Sequence, residues 1–245
     1  MLLDNMENLT SSHILMSLFL SFGGTVGGWA LTGKLAGDDA ALSFVQVGFI
    51  AVLVILGVQI IFFNLGKNRL IYRLVFNVAF GCGIVWFMLC LLLPILWVPS
   101  VGVMEKSALF LILLILAIAN IFKACAQFAA RWIDEGEKAL ILHYDSKEQT
   151  IDWPKVLKPM RLSLALYIPG IPEKMGPFIS AAIIIFMVGG LSLRNAYPIF
   201  SLYAWGIPSC LVISMFAQVL GLGFAQIIRL AALEKKFGTP VRPKS

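Results

Sequence analysis

The side chains that could do chemistry within this chain's apolar stretches are few. They are seven amides, Gln46, Gln59, Asn77, Asn120, Gln127, Gln218 and Gln226, and a single charge, Lys123. Moving protons or ions across a bilayer needs titratable or coordinating groups at depth, so this set argues against a proton-coupled pump. Lys123 lies within about two turns of the end of its apolar stretch, close enough for its stem to snorkel to the interface. A buried functional pairing is the alternative. Amides in lipid are ordinarily satisfied by neighbouring helices. If any of them line a polar pathway, Asn77, Asn120 and Gln218 are the candidates.

The remaining reactive side chains sit in polar stretches. Asp38-Asp39 and the run Asp134-Glu135-Gly136-Glu137 read as solvated acids, since divalent-ion binding would need converging oxygens that the spacing does not supply. His143 has no second histidine, cysteine or paired carboxylate at ligand spacing. No HExxH, glycine-rich phosphate loop or nucleophile elbow occurs. Cys82, Cys90, Cys125 and Cys210 all fall in apolar stretches and read as small apolar side chains. No catalytic, cofactor or metal-binding residue is assigned, and the chain reads as non-enzymatic. A lipid-active enzyme would need an acid/base pair that is missing.

The elements that must position these groups follow from composition. Of 245 residues, 60% are apolar and 13% charged, and the mean hydropathy is +0.91. A soluble domain carries about 25% charged residues. A chain this apolar covers itself with lipid, in spans of about 20 residues. Six segments qualify: 13–31, 41–63, 75–97, 107–128, 177–191 and 200–228. The fifth is short, and the first is weakened by Gly23, Gly24, Gly27 and Gly28. Those glycines form overlapping small-xxx-small pairs, a face for close helix packing inside the chain or against another subunit. Pro208 should kink the last span. That helix should run past the membrane edge and stop at Gly238 and Pro240.

Basic residues set orientation. Lys67, Arg69 and Arg73 in one loop, seven Lys or Arg in 131–176 and five from Arg229 onward fall on one side. Lys34, Lys106 and Arg194 fall on the other. Both termini are therefore expected in the cytoplasm, with a bacterial inner membrane the preferred location. A five-span rival makes the first segment re-entrant and places the N-terminus outside. Lys67, Arg69, Arg73, Arg229, Lys235 and Lys236 should meet anionic headgroups, at about 1 kcal/mol per basic residue near the surface. The stretch 131–176 balances seven basic against seven acidic residues, which is no nucleic-acid patch.

The expected fold is an all-α polytopic membrane protein. About six transmembrane helices form a bundle, with a small cytoplasmic α+β insert carrying a β-hairpin between spans four and five. The organisation is a four-span block over 1–130, the insert over 131–176, and a two-span block over 177–245. Within the insert, 138–144 reads as a strand, 145–149 as a turn and 150–153 as the returning strand. A lone hairpin is marginal in water, so it should lean on membrane helices or on a partner. His143, Tyr144 and Trp153 are the expected partner-docking residues. Asp152 should cap a short helix with Pro154 in its first turn. Residues 161–168, apolar but too short to span, should lie in the interface or beneath the bundle.

The functional expectation is a membrane subunit of a larger inner-membrane assembly of the secretion, conjugation or defence type. It would dock through the insert and the last helix, with lipids and either protein partners or further copies of itself as neighbours. The alternative is a channel or facilitator for a small solute.

Overall fold

The computed structural model describes residues 11–66, 69–193 and 197–244. Among these residues, eight α-helices run in the order α1 (Ser11–Ala36), α2 (Asp38–Leu65), α3 (Leu70–Leu89), α4 (Val103–Arg131), α5 (Glu137–His143), α6 (Trp153–Leu157), α7 (Gly176–Leu193) and α8 (Pro198–Phe237). Three two-residue strands accompany them: β1 (Tyr144–Asp145), β2 (Thr150–Ile151) and β3 (Arg242–Pro243). Among the described residues, five helices are long and apolar enough to cross a membrane: α1, α2, α3, α8, and α4 with its continuation to His143. In α7 the apolar stretch is the shorter Ala181–Gly190. The fold is thus an all-α bundle of membrane type with a small sheet at one end, called here the sheet end.

The third span ends earlier than the expected 75–97. Helix α3 stops at Leu89, and a 3-10 turn takes over at Leu93–Trp97. Pro94 lacks an N–H and biases the residue before it away from helical backbone. Helix α8 continues through Pro208 to Phe237 and ends at Gly238, whose φ of 70° is the left-handed stop that glycine adopts without a Cβ penalty.

Helix α1 packs on α2 and α3 along a face of small residues. Ser17, Ser21, Thr25 and Thr32 are all buried on this face. Three of the hydroxyls bond back to carbonyls four residues earlier, Ser21 to Ser17, Thr25 to Ser21 at 2.8 Å and Thr32 to Gly28 at 2.7 Å. They also reach neighbours. The Gln59 amide donates to Ser17 Oγ at 2.5 Å, and Trp86 Nε1 donates to Thr25 Oγ1 at 3.1 Å. Two of the four predicted glycines belong to this face. A Cβ on Gly24 would lie 3.0 Å from Phe87 Cα, and one on Gly28 would lie 2.3 Å from the Phe44 ring. Cβ atoms on Gly23 and Gly27 would meet nothing within 4 Å.

A close backbone approach joins α4 and α8. A Cβ on Gly221 would sit 2.6 Å from the Ile121 carbonyl oxygen and 3.0 Å from Ala124 Cβ. Gly221→Ala should therefore cost about 1–3 kcal/mol, the usual range for overpacking. Gly57→Ala, where a Cβ meets nothing within 4 Å, should gain up to about 1 kcal/mol in helix propensity. Thermal unfolding of both variants in lipid nanodiscs checks the opposite signs.

At the sheet end, the expected strand over 138–144 is helix as far as His143, and only Tyr144 is strand. Helix α4 passes through a π turn at Trp132–Gly136 into α5 without a stop signal, making one rod from Val103 to His143. Burial explains why. Ala139 and Leu140 are buried while Ile141 and Leu142 are exposed, a paired pattern that suits a helix and not the alternation of a strand. The hairpin is correspondingly short, with Tyr144 opposite Ile151 and Asp145 opposite Thr150. The chain's own tail adds a third strand, β3, parallel to β2. Arg242 N donates to the Gln149 carbonyl and Lys244 N to that of Ile151, at 3.0 and 3.1 Å. The sheet sits on a core built from both chain halves, including Leu70, Phe128, Trp132, Ile151, Trp153, Val156, Leu230 and Val241.

Candidate functional site

Residues 161–168 form no helix, and their alternation of exposed and half-buried residues marks an extended segment, which runs beside α4 and α8. Arg161, at φ 46°, turns the chain out of the 3-10 turn at Lys158–Met160. Leu162 and Leu164 then pack on the sheet-end core. Ile168 packs on a second cluster of Leu92, Ile95, Leu109, Leu113, Cys210 and Ile213, further along the bundle. Extended backbone cannot satisfy its own N–H and C=O groups, so at membrane depth it needs donors and acceptors from the protein. Two predicted residues supply them. Gln218 Nε2 donates to the Ala165 carbonyl at 2.5 Å, and its Oε1 accepts from Ala165 N at 3.3 Å. Asn120 Nδ2 donates to the Tyr167 carbonyl at 2.9 Å and to its own helix at Leu116 O, 2.8 Å. The two amides are tied together by Gln218 Nε2 to Asn120 Oδ1 at 2.6 Å. Lys123 Nζ lies 5.2 Å from the Tyr167 ring centroid, a cation–π contact with the same segment.

Asn77 belongs to a different place. It lines a groove of about 640 Å³ whose walls come from α3, α8, the β2–α6 region, the start of the extended segment and the tail. At the sheet end the groove carries Arg73, Asp152, Lys155 and Lys244. Deeper in, its lining is Phe80, Ile84, Phe216 and Val219. Asn77, Asn120 and Gln218 therefore do not form one polar row.

The other candidates are placed as follows. Trp153 is buried; its Nε1 donates to Gln226 Oε1 at 3.0 Å, and its ring packs on Trp132 with centroids 5.7 Å apart. Tyr144 stacks on Phe237 at 4.6 Å, nearly parallel. His143 is half-buried at the end of α5. Two of the three expected docking residues thus make contacts inside the chain. Arg69 is paired with Glu234 at 2.9 Å, a bond that raises its pKa further. Glu234 also accepts from Val241 N at 2.9 Å, so one carboxylate holds both the α2–α3 loop and the tail. Arg229 pairs with Glu137 at 2.7 Å and lies over the Trp132 ring at 4.9 Å. Lys235 and Lys236 are exposed and Arg73 is half-buried. Lys67 lies outside the described residues. Among the described residues, no three histidine, cysteine or acidic side chains gather as metal ligands would.

Asp152 caps α6 as expected, its Oδ1 accepting from Lys155 N at 3.4 Å and its Oδ2 meeting Lys155 Nζ at 2.7 Å. Burial works against its carboxylate, but the Lys155 hydrogen bonds and charge together hold its pKa below the ordinary value. A depressed folded-state pKa stabilises above the unfolded pKa and loses that stability as pH falls through the folded one. Asp152→Asn should therefore flatten the acid limb of the stability profile. An Asn cap keeps most of the roughly 1 kcal/mol that a cap contributes at neutral pH. Melting temperature measured between pH 7 and pH 3 checks this.

No protein-family model, curated protein sequence or solved structure matches this chain. The geometry of the site alone carries the functional argument.

Proposed function

We propose that this chain is a non-enzymatic integral subunit of a larger assembly in a bacterial inner membrane, with its sheet end and both termini in the cytoplasm. In this reading it crosses six times, the fifth crossing combining the extended segment with the short α7. The assembly is of the secretion, conjugation or defence type. The observation that carries the reading is the apolar surface on the continuation of α4. Ile133, Ile141 and Leu142 are 72%, 78% and 78% exposed. Ile141 lies ten residues past Arg131, about 15 Å of helix rise. Large apolar side chains held out on a rigid rod at that distance are suited to a protein partner. The facilitator reading has less behind it, because Asn120 and Gln218 are engaged in clasping the chain's own backbone.

The test is mild detergent extraction of the tagged full chain from its native host, with identification of what co-purifies. Native protein should bring a stoichiometric partner, and Ile141→Glu with Leu142→Glu should lose it while melting as the native chain does. A lone monomer from both preparations rejects the proposal. Removing 139–153 would be a poor test, since it takes Leu140, Ile151 and Trp153 out of the core.

A further inference from the structure

We infer that the groove between α3, α8 and the extended segment is a binding site for one anionic glycerophospholipid from the sheet-side leaflet. The lining has the order of such a molecule. One face of α3 presents Arg73, Asn77, Phe80 and Ile84 at spacings of four, three and four, so these residues follow each other down the groove. Arg73, Lys155 and Lys244 stand at its sheet end against one acid, Asp152, which Lys155 already pairs. Three basic residues against one acid make this end of the lining net positive, which favours a phosphate. Asn77 comes next, a half-buried amide with two N–H donors at the level of an ester carbonyl. Beyond it the lining is Phe80, Ile84, Phe216 and Val219, which suits an acyl chain and not water.

The dimensions agree. From Arg73 to Ile84 is eleven residues of helix, about 16 Å of rise, and one leaflet supplies about 15 Å of hydrocarbon, half the usual 30 Å core. The volume of about 640 Å³ lies within the range of small-molecule pockets. The extended segment supplies Leu162, Ser163 and Leu164 to the same lining. Non-helical backbone at depth is tolerated where it borders such a cavity. A bound lipid would complete that wall, so the site and the segment support each other.

The experiment is native mass spectrometry of the full chain released from mild detergent. It is titrated with dioleoyl phosphatidylglycerol, with zwitterionic dioleoyl phosphatidylethanolamine, and separately with inorganic phosphate. One phosphatidylglycerol per chain should be retained in preference to phosphatidylethanolamine. Lys244→Gln, at an exposed rim position, should reduce that preference about fivefold, which is the 1 kcal/mol typical of one basic residue at an anionic surface. Ile84→Trp, which fills the floor, should abolish retention with unchanged affinity for phosphate. If Ile84→Trp fails to fold, Lys244→Gln decides alone. Equal retention of both lipids, a preference that Lys244→Gln leaves unchanged, or displacement of the lipid by millimolar phosphate would each overturn the assignment. The last of these would mark an anion site only.

Discussion

Gln218→Leu is expected to lower stability by about 2 kcal/mol and to release the extended segment from α8. Leucine matches the volume of glutamine, so packing changes little and the loss is polar. Three bonds go: both of those to Ala165 and the one to Asn120. Hydrogen bonds between membrane helices average about 0.6 kcal/mol, because the freed groups usually find other partners. An extended segment has fewer such partners than a helix, so the sum lies at or above three times that value. Asn120→Leu also removes three bonds, to Tyr167, to Leu116 and from Gln218, but only one of them reaches the segment, so it should release residues 163–168 less than Gln218→Leu does. The discriminating measurement is amide hydrogen exchange in nanodiscs. Residues 163–168 should lose protection in Gln218→Leu while α1 and α2 keep theirs. Unchanged exchange in that window would mean that apolar packing of Leu162, Leu164 and Ile168 holds the segment by itself.

The amides show how far sequence could go. Asn120 and Gln218 are recognisable in sequence as polar residues at depth, and together with Asn77 as candidates for a polar pathway, because so little else is polar there. Their partner was not recognisable. Residues 161–168 are apolar, and apolar composition says that a segment is buried without saying that it is extended inside a bundle. The signal available in retrospect is the insufficiency itself: an eight-residue apolar run beside two amides without other duties needs backbone donors and acceptors nearby. The strand expected over 138–144 survives only at Tyr144 for a related reason. Lys-Ala-Leu-Ile-Leu-His-Tyr is compatible with either period, and the helix entering from α4 decides the outcome.

Long-range pairing was equally hidden. The hairpin was expected to need support, and it has it, but from the tail strand at Arg242–Pro243 and from Phe237, about ninety residues away in sequence. In α1 the glycine pairs drew attention while the serine and threonine seam did not. Yet Ser17, Ser21 and Thr25 recur every four residues, and that spacing alone marks a packed face. The side chain period was there to be read; the partners on α2 and α3 were not.

Trp153→Ala should have the largest effect of any single change at the sheet end, about 3–5 kcal/mol, the cost of removing a fully buried tryptophan. The ring is 4% exposed and joins the aromatic row of Phe128 and Trp132, whose centroids are also 5.7 Å apart. Its loss opens a cavity under α6 and leaves the Gln226 carbonyl without its donor. Because β2 follows directly into α6 and β3 pairs with β2, the tail strand should come away with it. Trp153→Phe separates the two contributions: it keeps most of the packing and forfeits the hydrogen bond, about 1 kcal/mol. Tyr144→Ala, a half-buried stack on Phe237, should fall between the two. Limited proteolysis reads the outcome, with new cleavage expected in 144–160 and 238–244 for Trp153→Ala only, and far-UV circular dichroism largely unchanged. Collapse of the whole helical signal instead would show that the bundle and the sheet end fold as one cooperative unit. In that case the sheet-end core that joins Leu70 to Leu230 would be holding the bundle's helices together as well as the sheet.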